Sequence, residues 1–457
     1  MSTLETALSY AQDHKETFLN DLISFLKIPS ISTLPEHKKD MEIAAQWVAS
    51  QLEKLSFDDV AIMPTAKHPV VYGSWMKAGS QAPTLLVYGH YDVQPVDPID
   101  LWKTNPFDPQ IRDEDIFARG ASDMKGQIVA HLKAMEAILQ SSHLPVNIKY
   151  MIEGEEEIGS PNLEAFLEQN GDLFQCDFCL NADSGILGAD IPSLTYALRG
   201  LAYFEIRLQG PSTDMHSGIF GGAVVNPGNI LCDLISGLKD DDYKVTLPGF
   251  YDDVLPLTDD EREELAKLPQ PEDWWLMQSG ANALDGEKGY TATERATARP
   301  TLDVNGLYSG FIGEGSKTVL PAKAMAKISM RLVPDQRPDQ VKQSLETYLA
   351  ERVPPAISWE LEDLSSCTPG IIDRDSDAVK AASRALESVW GKSPLFKREG
   401  GSVPVVGFIK DILGVNSLML GFGLPDDNLH APNEKLHLPN FFRGIETFIR
   451  FMYEIAG

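Results

Sequence analysis

The stretch Thr84-Leu85-Leu86-Val87-Tyr88-Gly89-His90-Tyr91-Asp92 sets an unbroken apolar run directly against a histidine and an aspartate. A run that is apolar at every position suits a strand buried on both faces, as in a parallel sheet covered by helices. The same junction recurs along the chain. Residues 146–152 (VNIKYMI) run into the glutamates of 153–157, 178–180 run into Asn181-Ala182-Asp183, and 417–421 (SLMLG) lead toward His430. In open α/β sheets ligands sit beyond the carboxyl ends of the strands, and the polar residues here fall at those ends. The pattern therefore predicts an α/β domain with a mostly parallel sheet and one shared site. Residues 125–140, with Ile128, Leu132, Met135 and Leu139 on one stripe, read as a covering helix.

The middle third has a different period. Residues 201–208 alternate, with Ala202, Phe204, Ile206 and Leu208 on one face. Residues 324–330 do likewise, with Ala324, Ala326, Ile328 and Met330 inward and Lys327, Ser329 and Arg331 outward. Such strands leave one face open. Helical patterns follow each, near 227–238 and 338–348, which predicts a β-α-β-β-α-β, ferredoxin-like α+β unit. Sequence on both sides of it supplies strands to the α/β sheet, so the first domain is expected to be discontinuous: 1–197 and 371–457, with 198–370 inserted. The acidic, Pro- and Trp-containing segment 240–300 takes no assignment.

At 457 residues the chain is too long for one ordinary core. Its formal charge of −28 excludes a phosphate-backbone partner, which it would repel, and otherwise reads as a solubilising surface. Residues 1–27 read as a single amphipathic helix, with Leu4, Leu8, Phe18, Leu19, Leu22, Ile23 and Leu26 on its apolar face. No apolar run is long enough to cross a bilayer, and a cytoplasmic location is expected. The four cysteines make no disulfide scaffold; Cys176 and Cys179 lie in a stretch that reads as a buried strand.

The strand-end residues carry the chemistry. On an extended segment Asp92 points the same way as His90, so it can accept a hydrogen bond from one ring nitrogen while the other faces a metal. Asp123 lies in the Gly-flanked turn Gly120-Ala121-Ser122-Asp123-Met124-Lys125-Gly126, where Ser122 or Asp123 alone would read as a helix cap. Glu155-Glu156-Glu157 repel one another unless solvent or cations neutralise them. In a cleft, one of them can bind metal while its neighbour acts as general base. Asp183 and His430 are weak signals singly. Their shared placement after buried strands is what raises them.

Together HYD, RGASDMKG, EGEEEIGS, NADSG, STDMHSG, GSKTVLPAK, MRLVP, REGGSVP and HAPNEK resemble the motifs of the di-zinc metallopeptidases that include cytosolic non-specific dipeptidases and carnosinases. The resemblance implies two divalent ions, zinc or alternatively manganese, with Asp123 bridging, His90 and Asp183 completing one site, and Glu157 and His430 the other. It implies Glu156 as general base, Asp92 as the partner of His90, and a cis peptide at Asp123–Met124. It also makes the inserted unit a lid and homodimerisation domain. From there His216 would reach the neighbouring subunit's oxyanion, and Thr318, Arg331 and Ser402 would hold the carboxylate end of a small peptide. The expected reaction is dipeptide hydrolysis; an N-acyl amino acid deacylase and an inactive binding relative are the alternatives. His14, His37, His68, His131 and His143 fall outside the motifs and read as structural or surface residues.

Overall fold

A computed structural model describes residues 2–141 and 143–457. By internal contacts the chain divides into two units: Met1–Tyr196 with Ile371–Lys397 and Phe408–Gly457, and Ala197–Gly370 with Arg398–Gly407. The last of these segments corrects the boundaries expected from sequence, which left 398–407 in the α/β domain. Side chains bind it to the second unit: Arg398 Nε donates to Glu261 at 2.8 Å, and Arg199 Nε donates to the Gly400 carbonyl at 3.0 Å.

In the first unit the continuous apolar runs form the centre of a mixed sheet. Asn147–Glu153, Thr84–His90, Phe178–Asn181 and Ser417–Met419 lie side by side and parallel. Antiparallel strands flank them: Val70–Trp75 and Asp59–Met63 on one side, Ser193–Leu198 on the other. Thr84–His90 is buried from Leu85 onward, as expected of a strand covered on both faces. Among the described residues no helix is long and apolar enough to cross a membrane.

Two helical expectations are revised. The N-terminal segment is two helices, Thr3–Asp13 and Lys15–Leu26, broken at His14, whose ring stacks on Tyr10 at 3.8 Å while Nδ1 lies 2.8 Å from the Tyr10 carbonyl. The helix Gly126–Ser141 is buried well beyond one stripe. Thr3–Asp13, Lys15–Leu26 and Leu438–Ala456 all pack on it. Two of its polar side chains find partners: Lys133 with Asp21 at 2.5 Å and Glu136 at 2.7 Å, and His131 Nδ1 with the Tyr150 hydroxyl at 2.5 Å.

The second unit contains a four-stranded antiparallel sheet in the order Thr301–Ser309, Lys323–Leu332, Gly200–Gln209, Ser358–Cys367. With the helices Pro227–Ser236 and Pro338–Arg352 in the chain between them, this is the β-α-β-β-α-β order. The alternating residues Ala202, Phe204, Ile206, Leu208, Ala324, Ala326, Ile328 and Met330 form its core with Leu231 and Leu345. The segment left unassigned from sequence contains three short helices, Asp259–Ala266, Glu272–Ser279 and Ala292–Thr297.

His131 makes acid stability testable. Burial pushes its imidazole down to about 3, whereas the unfolded chain binds that proton near its ordinary value of about 6.5. Its contribution is present above that value and is lost as pH falls. Between pH 7.5 and 5.0 the metal-free protein should lose roughly 2 kcal/mol through this residue alone. His131→Gln, which can still bond Tyr150, should remove that part of the slope in thermal melts; an unchanged slope would exclude the assignment.

Candidate metal centre

The ends of the parallel strands and the turns that follow them assemble one cluster in the first unit. Asp123 stands at its centre. Its Oδ1 lies 3.1 Å from His90 Nε2, and its Oδ2 lies 2.9 Å from His430 Nε2. Glu157 is 3.2 Å from His430 Nε2, while Asp183 and Glu156 approach His90 Nε2 at 3.8 and 4.0 Å. Ligand atoms of His90, Asp123 and Glu157 fall within 4.8 Å of one another, as do those of His90, Glu156 and Asp183. The five expected ligands and Glu156 are thus brought together, with the Asp123 carboxylate between the two histidines.

Local structure explains the aim of each side chain. His90 ends its strand fully buried, with Nδ1 3.1 Å from the Asp92 carbonyl oxygen and 3.4 Å from Oδ1 of the same residue. The main-chain carbonyl is therefore the nearer acceptor, where the sequence pointed to the carboxylate. Either acceptor places the proton on Nδ1 and leaves Nε2 to face a cation. The other carboxylate oxygen, Oδ2, accepts from the Glu157 amide at 3.0 Å, so Asp92 steadies two members of the cluster.

The three glutamates diverge. Glu155 turns away to accept from Thr65 Oγ1, the His68 amide and Asn162 Nδ2 at 2.6, 2.7 and 2.6 Å. Glu156 and Glu157 remain with the cluster, and Gln94 Nε2 holds Glu157 Oε2 at 2.8 Å.

Electrostatics then bear on what the cluster can hold. Burial and neighbouring Asp123 push Asp183 up to about 7, and burial with flanking carboxylates pushes Glu156 well above the usual range. His430, pressed against Asp123 and Glu157, rises to about 10. Four carboxylates in one buried space favour protons or cations as counter-charge, and imidazole nitrogens with carboxylate oxygens are the donors that zinc and manganese accept. The residues fit a divalent metal pair.

A second layer escaped the sequence reading. Glu434, fully buried, receives Arg119 Nη1 at 2.8 Å and the amides of Gly120, Ser122 and Asp123 at 2.9, 3.0 and 3.1 Å. Ser122 Oγ donates to Asp427 at 2.6 Å, tying the Asp123 turn to the loop of His430 a second time. The Asp123–Met124 peptide is cis. Gly126 is required where it is: a Cβ there would stand 2.2 Å from the Ala121 carbonyl oxygen. Glu434 was visible inside HAPNEK, but nothing in the sequence indicated that its carboxylate faces a turn so far upstream.

The other expected site residues lie in the second unit. Met215–His216 pairs antiparallel with Val319–Leu320, so exposed His216 stands opposite Val319, and the Ser217 amide donates to the Thr318 carbonyl at 3.1 Å. Arg331 Nη1 donates to Ser402 Oγ at 2.8 Å.

An α/β sheet whose strand ends gather imidazoles and carboxylates defines a metal-dependent hydrolase. Residues 86–454 match Peptidase family M20/M25/M40, and the chain belongs to that family of peptidases. It is 32% identical to the Cys-Gly metallodipeptidase DUG1 of Candida albicans, over 97% of this chain and 96% of that protein. It is 28% identical to the human Beta-Ala-His dipeptidase, over 99% and 93%. Among solved structures it is similar to the M20 family metallo-carboxypeptidase Sso-CP2 of Sulfolobus solfataricus, with a TM-score of 0.85, 34% identity, and 96% and 99% of the two chains covered. It is likewise similar to the dipeptidase Dug1p of Saccharomyces cerevisiae, with a TM-score of 0.79, 29% identity, and 100% and 99% covered.

Glu434 supplies the test of this architecture. Glu434→Ala strands buried Arg119 without its partner and should cost about 3–5 kcal/mol of stability. Glu434→Gln keeps the shape but not the charge, and should weaken zinc retention about 10- to 100-fold in chelator competition. Unchanged retention in Glu434→Gln would show that its carboxylate does not position Asp123.

Proposed function

We propose that this peptidase hydrolyses dipeptides, using two divalent ions held by His90, Asp123, Glu157, Asp183 and His430, with Asp123 shared between them. The observation that carries the reading is the division of the Asp123 carboxylate, one oxygen to His90 and the other to His430. Zinc is the first choice of metal and manganese the second, since these donors take either. When bound, such a pair polarises the scissile carbonyl and acidifies a water. Glu156, beside the cluster and not tied into its turn contacts, takes the proton from that water and returns it to the leaving amine.

The second unit supplies recognition and the oxyanion donor. His216 Nδ1 accepts from the Gly218 amide at 3.0 Å, so the neutral ring carries its proton on Nε2, the state an oxyanion donor needs. Arg331 contacts the Ser402 hydroxyl, and among the described residues no carboxylate lies within ion-pairing distance of it. It is therefore free for the carboxylate end of a peptide, with Thr318 as a further contact.

We read this unit as a lid that closes during turnover and as the homodimer contact that carries His216 to a neighbouring subunit. Its edge strand Thr301–Ser309 exposes Val304, Leu307 and Tyr308, and Phe311 and Ile312 follow it. An open strand edge with exposed apolar side chains favours a partner. The cysteines are free, in keeping with a reducing cytoplasm.

The similarity to a metallo-carboxypeptidase favours a second reading, removal of C-terminal residues from longer peptides. A panel of dipeptides, tripeptides and N-acetyl amino acids separates these readings. Dipeptides should be cleaved fastest, and preference for N-acetyl amino acids would replace the proposal with a deacylase. Glu156→Gln should retain both metals while kcat falls at least about 100-fold; full turnover in that variant would remove the base assignment.

Subunit mixing tests the cross-subunit role. Glu156→Ala and His216→Ala should each be nearly inactive. Equal parts, allowed to exchange subunits, should recover about a quarter of wild-type activity, because half the dimers then hold one complete site. No recovery despite verified exchange would place His216 outside its neighbour's reaction.

A further inference from the structure

We propose that Arg199 is a positioning residue for the peptide's carboxylate end: it fixes the loop that presents Ser402 to Arg331. The inference rests on the reading of Arg331 and Ser402 as the carboxylate-binding pair. Arg331 and Ser402 lie in the MRLVP and REGGSVP motifs, whereas Arg199 lies outside every motif quoted above.

Arg199 sits at the junction between Ser193–Leu198 and Gly200–Gln209. Its amide donates to the Glu399 carbonyl at 3.2 Å, and its Nε donates to the Gly400 carbonyl at 3.0 Å. Nη1 lies 3.5 and 3.4 Å from the carbonyls of Arg295 and Arg299. The guanidinium thus joins the 399–402 loop to the end of the helix Ala292–Thr297 through main-chain oxygens. Gly400 is pressed into this contact: a Cβ there would come within 2.5 Å of the Ala296 carbonyl oxygen and 3.1 Å of Arg199 Nη2. Two residues further on, Ser402 Oγ accepts from Arg331 at 2.8 Å.

Register brings the two arginines near each other. Arg331 pairs with Leu201 and Leu332 with Gly200, so Arg199, two residues before Leu201, stands diagonal to Arg331 at the strand end. Among the described residues no carboxylate lies within ion-pairing distance of either guanidinium. Burial and the nearby charge of Arg331 lower Arg199 to about 10, the sign expected of two cations held together without a full counter-charge. The charges of Asp303 and Glu399 act on Arg199 in the opposite sense and offset part of that repulsion. Arg199 spends its donors on carbonyl oxygens. Its part is to hold geometry, and Arg331 keeps the contact with the anion.

Steady-state kinetics on a dipeptide and on its C-terminal amide read the proposal directly, with metal content and thermal midpoint measured alongside. Arg199→Met should raise KM for the free acid about 10- to 100-fold, the loss of a hydrogen-bonded charge contact, with kcat changed less than KM. The amide, lacking the carboxylate, should be cleaved by the variant as by the wild type.

Arg199→Lys keeps the charge but not the forked donor, and should behave like Arg199→Met. Full rescue by lysine would overturn the positioning role in favour of charge alone. Gly400→Ala, which keeps the arginine side chain but crowds its contact with the loop, should reproduce the rise in KM for the acid, and this variant decides the matter if the arginine substitutions do not fold. Equal losses on acid and amide would reduce Arg199 to a structural residue and overturn the proposal. A wild-type enzyme that does not distinguish acid from amide would instead refute carboxylate recognition by Arg331, an outcome visible without any variant.

Discussion

Asp123 faces two histidines that the sequence supplies from before and after the inserted segment, and a set of buried polar residues serves that meeting. A carboxylate shared between two sites must be held by more than its targets, because at a distance of about 4 Å like charges nearby repel it by several kcal/mol in a partly buried space. The holding is done from behind. Glu434 collects three amides of the Asp123 turn and Arg119, and Asp427 collects Ser122 and the Leu424 amide. Since Glu434 and Asp427 flank His430 in sequence, the loop that presents one histidine also grips the turn that presents the shared carboxylate. A shift of either would move both.

The same economy appears at Asp92 and the glutamates. Asp92 lies against His90 and accepts from the Glu157 amide, coupling the first strand end to the second. Glu155 is tied to Thr65, His68 and Asn162, which anchors the turn and leaves its two neighbours at the cluster. Three adjacent side chains of one type thus acquire different surroundings through backbone direction alone. For Glu156 and Glu157, burial and the neighbouring charges then raise the proton affinity.

The second unit works on a different principle. Its four-stranded sheet buries one apolar face and carries Arg331, while His216 sits on a separate two-stranded ladder with Thr318 just before its second strand. Rigid strand register sets the spacing of these groups, while the 399–402 segment, returning late in the chain, closes the arrangement around Arg331.

Much of this was legible in the linear sequence, because hydrophobic periodicity is a local signal. Continuous runs marked the strands at Thr84–His90 and Phe178–Asn181, alternation marked Gly200–Gln209 and Lys323–Leu332, and each run ended where its polar residues began. The candidates His90, Asp123, Glu156, Glu157, Asp183 and His430 could be named from those endings and from the motifs around them. Other features depended on contacts between distant segments, which no local pattern encodes. The break at His14, the near-complete burial of Gly126–Ser141, the clamp of Glu434 on the Asp123 turn, and the return of 398–407 to the second unit are of this kind. Side-chain periodicity states which face of an element avoids water. It does not state which other element will cover that face, or which buried carboxylate will find amides waiting for it, and those choices were made only when the chain closed on itself.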